Sequence, residues 1–179
     1  MFTARLLLSL CEFVFLVVMS GLVVVLTYRI FVKANPDFHM GAEIAKGNTA
    51  VGTLMAAILG SASYILMAGT ETSIGMFRMH MLAPSGESDT AARILCLIIA
   101  HLGVSMLLAV VSISVTLRLF GRLEPELHAG KELQKGNMAV GILLSAVVVI
   151  SAAFVHDGVS ALSKSLVPRT AIGRILTAK

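Results

Sequence analysis

The chain has 179 residues, 57% of them hydrophobic and 13% charged, with a formal net charge of +4 and a mean hydropathy of +0.92. A soluble domain carries about a quarter charged residues. So few charges cannot keep a compact body soluble, which excludes an ordinary soluble domain and points to an integral membrane protein.

The first apolar run, Leu6–Tyr28, holds one acidic residue, Glu12. It follows Arg5 as a signal peptide would. However, it is far longer than a typical h-region and no A-x-A-like site follows, so a retained helix is expected. Thr49–Gly69 holds no ionisable group, Ile94–Leu117 only His101, and Met138–Val155 none. Each run is long enough to cross a roughly 30 Å hydrocarbon core at about 1.5 Å per residue. Helices follow because a lipid-exposed backbone must satisfy its own hydrogen bonds. The expected fold is all-α, with four transmembrane helices.

Between the second and third runs lies Thr70–Ala92, with the stretch MFRMHM at Met76–Met81. Met and His suit Cu(I), but an amphipathic segment with its methionines in lipid explains the same residues more simply. Cys11 and Cys96 form neither a CxxC pair nor a metal-ligand spacing and read as small apolar fillers. No metal or cofactor is implied. After the fourth run, His156–Asp157 marks an exit into water. The tail beyond it carries Lys164, Arg169, Arg174 and Lys179 among apolar residues and no acid after Asp157. It reads as a cationic strip for anionic lipid headgroups or a protein partner. No nucleic-acid motif is present, and the cations sit where headgroups would meet them.

The chain repeats itself with an offset of 89 residues. RIFVKANPDFHMGAEIAKGNTAVGTLMAA aligns with RLFGRLEPELHAGKELQKGNMAVGILLSA. A register this long is the mark of duplication. It divides the chain into a first two-helix repeat (1–69), a connecting loop (70–92), a second repeat (93–157) and a basic tail (158–179). An even number of spans per unit makes the two hairpins insert in the same direction, as parallel repeats. Both motif loops then share one membrane face. Lys and Arg divide seven against seven between the faces, so the positive-inside rule leaves the orientation open.

The shared heptapeptide, KGN-x-AVG, opens the second helix of each repeat. Lys46 and Lys135 can snorkel to the headgroups. Gly47 and Gly136 permit a bend, and Asn48 and Asn137 are good N-caps. Gly52 with Ala56 and Gly60, and Gly141 with Ser145, offer small faces for close helix packing. A functional alternative puts Asn48 and Asn137 at the mouth of a cavity, amides facing each other. Glu43 and Glu132 are i,i+3 neighbours of Lys46 and Lys135 if the helices begin early. They are either exposed interfacial pairs or vestibule charges that attract cations. The offset also matches Glu12 with His101, at equivalent depths within the spans. An intramembrane carboxylate–imidazole pair is either a proton relay or two groups bonded to neighbouring helices.

The doubled E-[IL]-x-K-G-N-x-A-V-G resembles the bacterial inner-membrane family called domain of unknown function 350. The resemblance covers both repeats and implies a four-helix, multi-pass bacterial inner-membrane protein. It implies no activity. There is no G-x-S-x-G elbow, HExxH or P-loop. The sequence therefore predicts a non-enzymatic membrane protein that assembles as a homo-oligomer. It is either a channel for a small ion or solute, or a scaffold that docks partners in a membrane complex.

Overall fold

The computed structural model describes residues 2–34, 39–82 and 91–165. Six α-helices run through them: α1 (Phe2–Ala34), α2 (Met40–Ala45), α3 (Thr49–Leu82), α4 (Ala91–Leu123), α5 (Ala129–Gln134) and α6 (Met138–Ser165). A 3-10 turn, Pro125–Leu127, precedes α5. The described residues contain no strand. Four of the helices, α1, α3, α4 and α6, are long and apolar enough to span a membrane.

Two helices extend beyond the apolar runs. The segment 70–92, expected as a connection, is helical as far as Leu82. No proline lies between Gly69 and Leu82 to break a helix. Likewise α6 passes through His156–Asp157 and ends at Ser165, short of Pro168. Lys164 thus sits exposed in the last turn of α6, while Arg169, Arg174 and Lys179 lie outside the described residues.

The spanning helices are not equivalent. Helix α3 is central, touching α1, α4 and α6, with α6 as its main partner. Half of its apolar window is buried, against 11% for α1. The core consists of Val51, Ile58, Ala62 and Ile65 of α3, Ala109 and Ile113 of α4, and Val140 and Val148 of α6. Helix α1 contributes Phe31 at its end and Val23 near its middle. Large apolar side chains such as Phe13, Leu107 and Phe154 are exposed. In water such a surface would aggregate. In a bilayer it is the lipid-facing side, while small residues such as Ala50, Ala62 and Ala109 let the helices pack closely.

Polar side chains join the helices. Thr116 and Ser151 share a 2.7 Å hydrogen bond between α4 and α6. The Thr27 hydroxyl, fully buried on α1, donates to Met106 Sδ of α4 at 3.8 Å. Helices α3 and α4 meet closely at Gly69, where an added Cβ would collide with the Ser105 hydroxyl. Gly69 is needed there because Ser105 fills the place of its side chain.

Candidate functional site

Each heptapeptide copy joins a short helix to a spanning one. In the first copy α2 ends at Ala45, Lys46 is its C-cap, and Gly47 follows at φ +82°. Gly47 N–H donates to Ile44 O (2.9 Å) and Asn48 N–H to Glu43 O (3.0 Å). This is the Schellman arrangement, which satisfies the last carbonyls of a helix and requires a left-handed residue. The second copy repeats it. Gly136 lies at φ +80°, with Gly136 N–H on Leu133 O (3.0 Å) and Asn137 N–H on Glu132 O (3.0 Å). The glycine is required at both places because a Cβ disfavours that backbone conformation.

The asparagine then starts the next helix. Asn48 O accepts from Gly52 N–H at 3.0 Å, and Asn137 O from Gly141 N–H at 3.1 Å. Asn48 Oδ1 also accepts from Val51 N–H at 3.2 Å, as an N-cap side chain does. One residue thereby closes the short helix and opens the long one.

The glutamate and lysine complete a polar knot in each repeat. Glu43 takes Lys46 Nζ on Oε1 (2.8 Å) and Asn48 Nδ2 on Oε2 (3.3 Å). Glu132 takes Lys135 Nζ on Oε1 (2.7 Å) and Asn137 Nδ2 on Oε2 (2.9 Å). The Lys46 ammonium, then the Asn48 amide, hold the Glu43 carboxyl below its ordinary value of 4.5. For Glu132 the Asn137 amide comes first and the Lys135 ammonium second. Both lysines are well exposed, so the ion pairs add little to stability by themselves.

The two copies meet asymmetrically. Asn48 Nδ2 crosses to the second repeat and donates to Leu133 O at 2.8 Å, with Gln134 O at 3.4 Å. The Asn137 amide stays on Glu132 of its own repeat and lines an open hollow of about 450 Å³ with Glu126, His128 and Lys131. The amides do not donate to each other. Below them α3 and α6 touch backbone to backbone. A Cβ on Gly141 would lie 2.7 Å from Ala50 O, whereas one on Gly52 would meet nothing within 4 Å. The Gly52, Ala56 and Gly60 stripe does not form this contact: Ala56 and Gly60 are exposed, and α3 turns Ala50, Val51 and Leu54 inward. Small size permits close packing, but which stripe packs depends on helix rotation.

A second polar group lies within the spans. His101 is buried, with Nδ1 2.9 Å from Leu97 O and Nε2 without a partner. Ser105 Oγ, one turn along, and Ser61 Oγ are also buried and unpartnered. Neither ring nitrogen of His101 bonds to Glu12, which is half-buried on α1. Further along α6, His156 stacks on Tyr64 with ring centroids 4.2 Å apart.

Of MFRMHM, Met76 is buried; the side chains of residues 77–81 lie outside those described. No group of three His, Cys, Asp or Glu suited to a metal occurs among the described residues. Both cysteines are free.

Sequence reasoning did not single out Gly69, Ser105, Tyr64 or the left-handed His128 (φ 44°). Nor did it single out Tyr28, whose hydroxyl is 3.0 Å from the Cβ position of Gly41. The last had a visible signal, because the repeat alignment sets Tyr28 against Leu117.

No curated protein and no solved structure matches this chain. The family model for the domain of unknown function DUF350 matches residues 5–160, which takes in both knots, the first three candidate spans and most of the fourth. The chain is therefore a multi-pass membrane protein belonging to the DUF350 family.

Proposed function

We propose that the protein is a non-enzymatic structural component of the bacterial inner membrane, a scaffold whose two motif copies fasten its helices together. The observation that carries this reading is the bond from Asn48 Nδ2 to Leu133 O, 2.8 Å long. The amide expected at a cavity mouth is spent on holding the two repeats together. The helices beneath it approach too closely for a path between them, with Gly141 against Ala50. In this reading the hairpins insert in the same direction, both knots lie on one membrane face, and partners or further copies dock on the loops, the tail and the open faces.

Ion flux through the purified protein in liposomes tests the proposal, with wild type beside Asn48→Ala/Asn137→Ala. The expected result is no flux from either protein across a panel of small ions, and a lower melting temperature for the variant. Flux in wild type that the variant loses while remaining folded would overturn it.

A second reading, a conduit for protons or another small ion, is favoured by the buried unpartnered atoms His101 Nε2, Ser105 Oγ and Ser61 Oγ. Polar atoms without partners are costly in a bilayer, and water or a passing ion would satisfy them. Its test is proton flux in Glu12→Gln and His101→Ala. Unchanged flux in both would end the relay.

A further inference from the structure

The duplicated halves also differ around Gly41 and Gly130. In the first repeat the Tyr28 hydroxyl lies 3.0 Å from where a Cβ on Gly41 would be, so the ring takes the space over that glycine. In the second repeat the aligned residues are Leu117 and Gly130. Nothing lies within 4 Å of the Cβ position of Gly130. Two more exchanges widen the same region, Met40 to Ala129 and Val32 to Gly121. The result is a pocket of about 500 Å³, with Leu117, Gly121, Ala129 and Gly130 in its wall. That volume lies within the range of small-molecule sites.

The chemistry of the wall identifies the occupant. Its inner part is apolar, with Leu54, Leu117 and Leu144. Arg118, His128 and Lys131 also line it, and no carboxylate among the described residues does. Lys131 is a further difference between the halves, because its aligned residue is Ala42. Arg118 and Lys131 are exposed and form no ion pair among the described residues. Glu132, held by Lys135 and Asn137, and Glu126 line the adjoining hollow instead. Arg118 stands near the end of the span Cys96–Leu123, where basic side chains reach headgroup level. A guanidinium and an ammonium above an apolar slot fit a phosphate above an acyl chain.

We infer that this pocket binds an anionic phospholipid of the surrounding bilayer. The phosphate is held by Arg118 and Lys131, and an acyl chain lies between Leu117 and Leu144. The site is built around the second repeat, with Phe31, Met40 and Leu54 of the first completing its wall, and Tyr28 takes the equivalent space over Gly41. It does not depend on whether the protein is a scaffold or a conduit.

The test is native mass spectrometry of the delipidated full chain, given equal amounts of phosphatidylglycerol and phosphatidylcholine. Wild type is expected to retain one phosphatidylglycerol in preference to phosphatidylcholine. Arg118→Gln/Lys131→Gln, which changes only exposed side chains, should lose that preference by about tenfold, the scale of one or two charge-assisted contacts. Leu117→Tyr/Ala129→Met rebuilds the closed form of the first repeat and should retain no lipid at this site. Equal retention of both lipids by wild type would overturn the inference. So would undiminished preference in the charge variant, or displacement of phosphatidylglycerol by an equal concentration of inorganic phosphate. If the filled variant does not fold, the charge variant alone decides.

Discussion

The side-chain amide of Asn48 donates to the backbone carbonyl of Leu133, 2.8 Å away in space and 85 residues away in sequence. The same side chain accepts from Val51 N–H and donates to Glu43. It therefore links the start of α3, the end of α2 and the end of α5. Asn137, its counterpart, bonds to Glu132 within its own repeat. Asn48→Ala should cost about 2 kcal/mol, from a lost cap and a lost inter-repeat bond, and Asn137→Ala about 1 kcal/mol. Leu133 O keeps its bond from Gly136 N–H, so no carbonyl is orphaned. Unfolding of the two single variants in the same detergent checks the difference; equal losses would contradict the asymmetry.

Gly141 and Gly52 occupy the same place in the repeat but not in space. Gly141→Ala places a Cβ 2.7 Å from Ala50 O, a backbone atom that cannot rotate away. Helices α3 and α6 must separate, at an expected cost of about 1–3 kcal/mol. Gly52→Ala meets open space and should be neutral or mildly stabilising, since alanine is the better helix former. Melting temperatures of the two variants should move in different directions or by clearly different amounts.

Gly47 and Gly136 make the opposite case, because both copies have the same conformation (φ +82° and +80°). Gly47→Ala and Gly136→Ala should each cost about 1–2 kcal/mol from left-handed strain. Asparagine, which tolerates that region better, should recover part of the loss. Stability of the Ala and Asn series at each position is the measurement.

Acid should loosen both knots. Glu43 is held below its ordinary value of 4.5 by Lys46 and then Asn48, and Glu132 by Asn137 and then Lys135. A lowered folded-state value means the native form binds protons less readily than the unfolded form. The stabilisation is complete above the unfolded value and is lost as pH falls through 4.5 towards the folded values. The melting temperature of wild type should fall across this window. In Glu43→Gln/Glu132→Gln it should fall less, starting from a lower plateau at neutral pH.

His101 and Ser105 give a prediction about the membrane interior. Gly69→Ala would drive a Cβ into the Ser105 hydroxyl and should separate α3 from α4. In Gly69→Ala/Ser105→Ala that hydroxyl is gone, and part of the loss should return. Unfolding of the single and double variants shows whether the two sites are coupled, as contacting residues are.

Much of this protein is legible in one dimension. Four long apolar runs in a chain with 13% charged residues have only one solution in lipid, because each helix satisfies its own backbone. The duplicated KGN-x-AVG is also read locally. Schellman bonds and N-caps involve residues within five positions of one another, so Gly47 and Asn48 announce their roles, and Gly136 and Asn137 repeat the backbone bonds. Sequence alone could not decide rotation and slide. Gly52 and Gly141 are the same letter in the same context, yet only Gly141 faces a backbone. The aligned Tyr28 and Leu117 decide which half keeps a pocket, but only packing shows the space between them. Local backbone hydrogen bonding depends on sequence spacing and recurs in both copies. Helix contact depends on how unlike helices fill the space around a shared centre, and there the duplicated halves part.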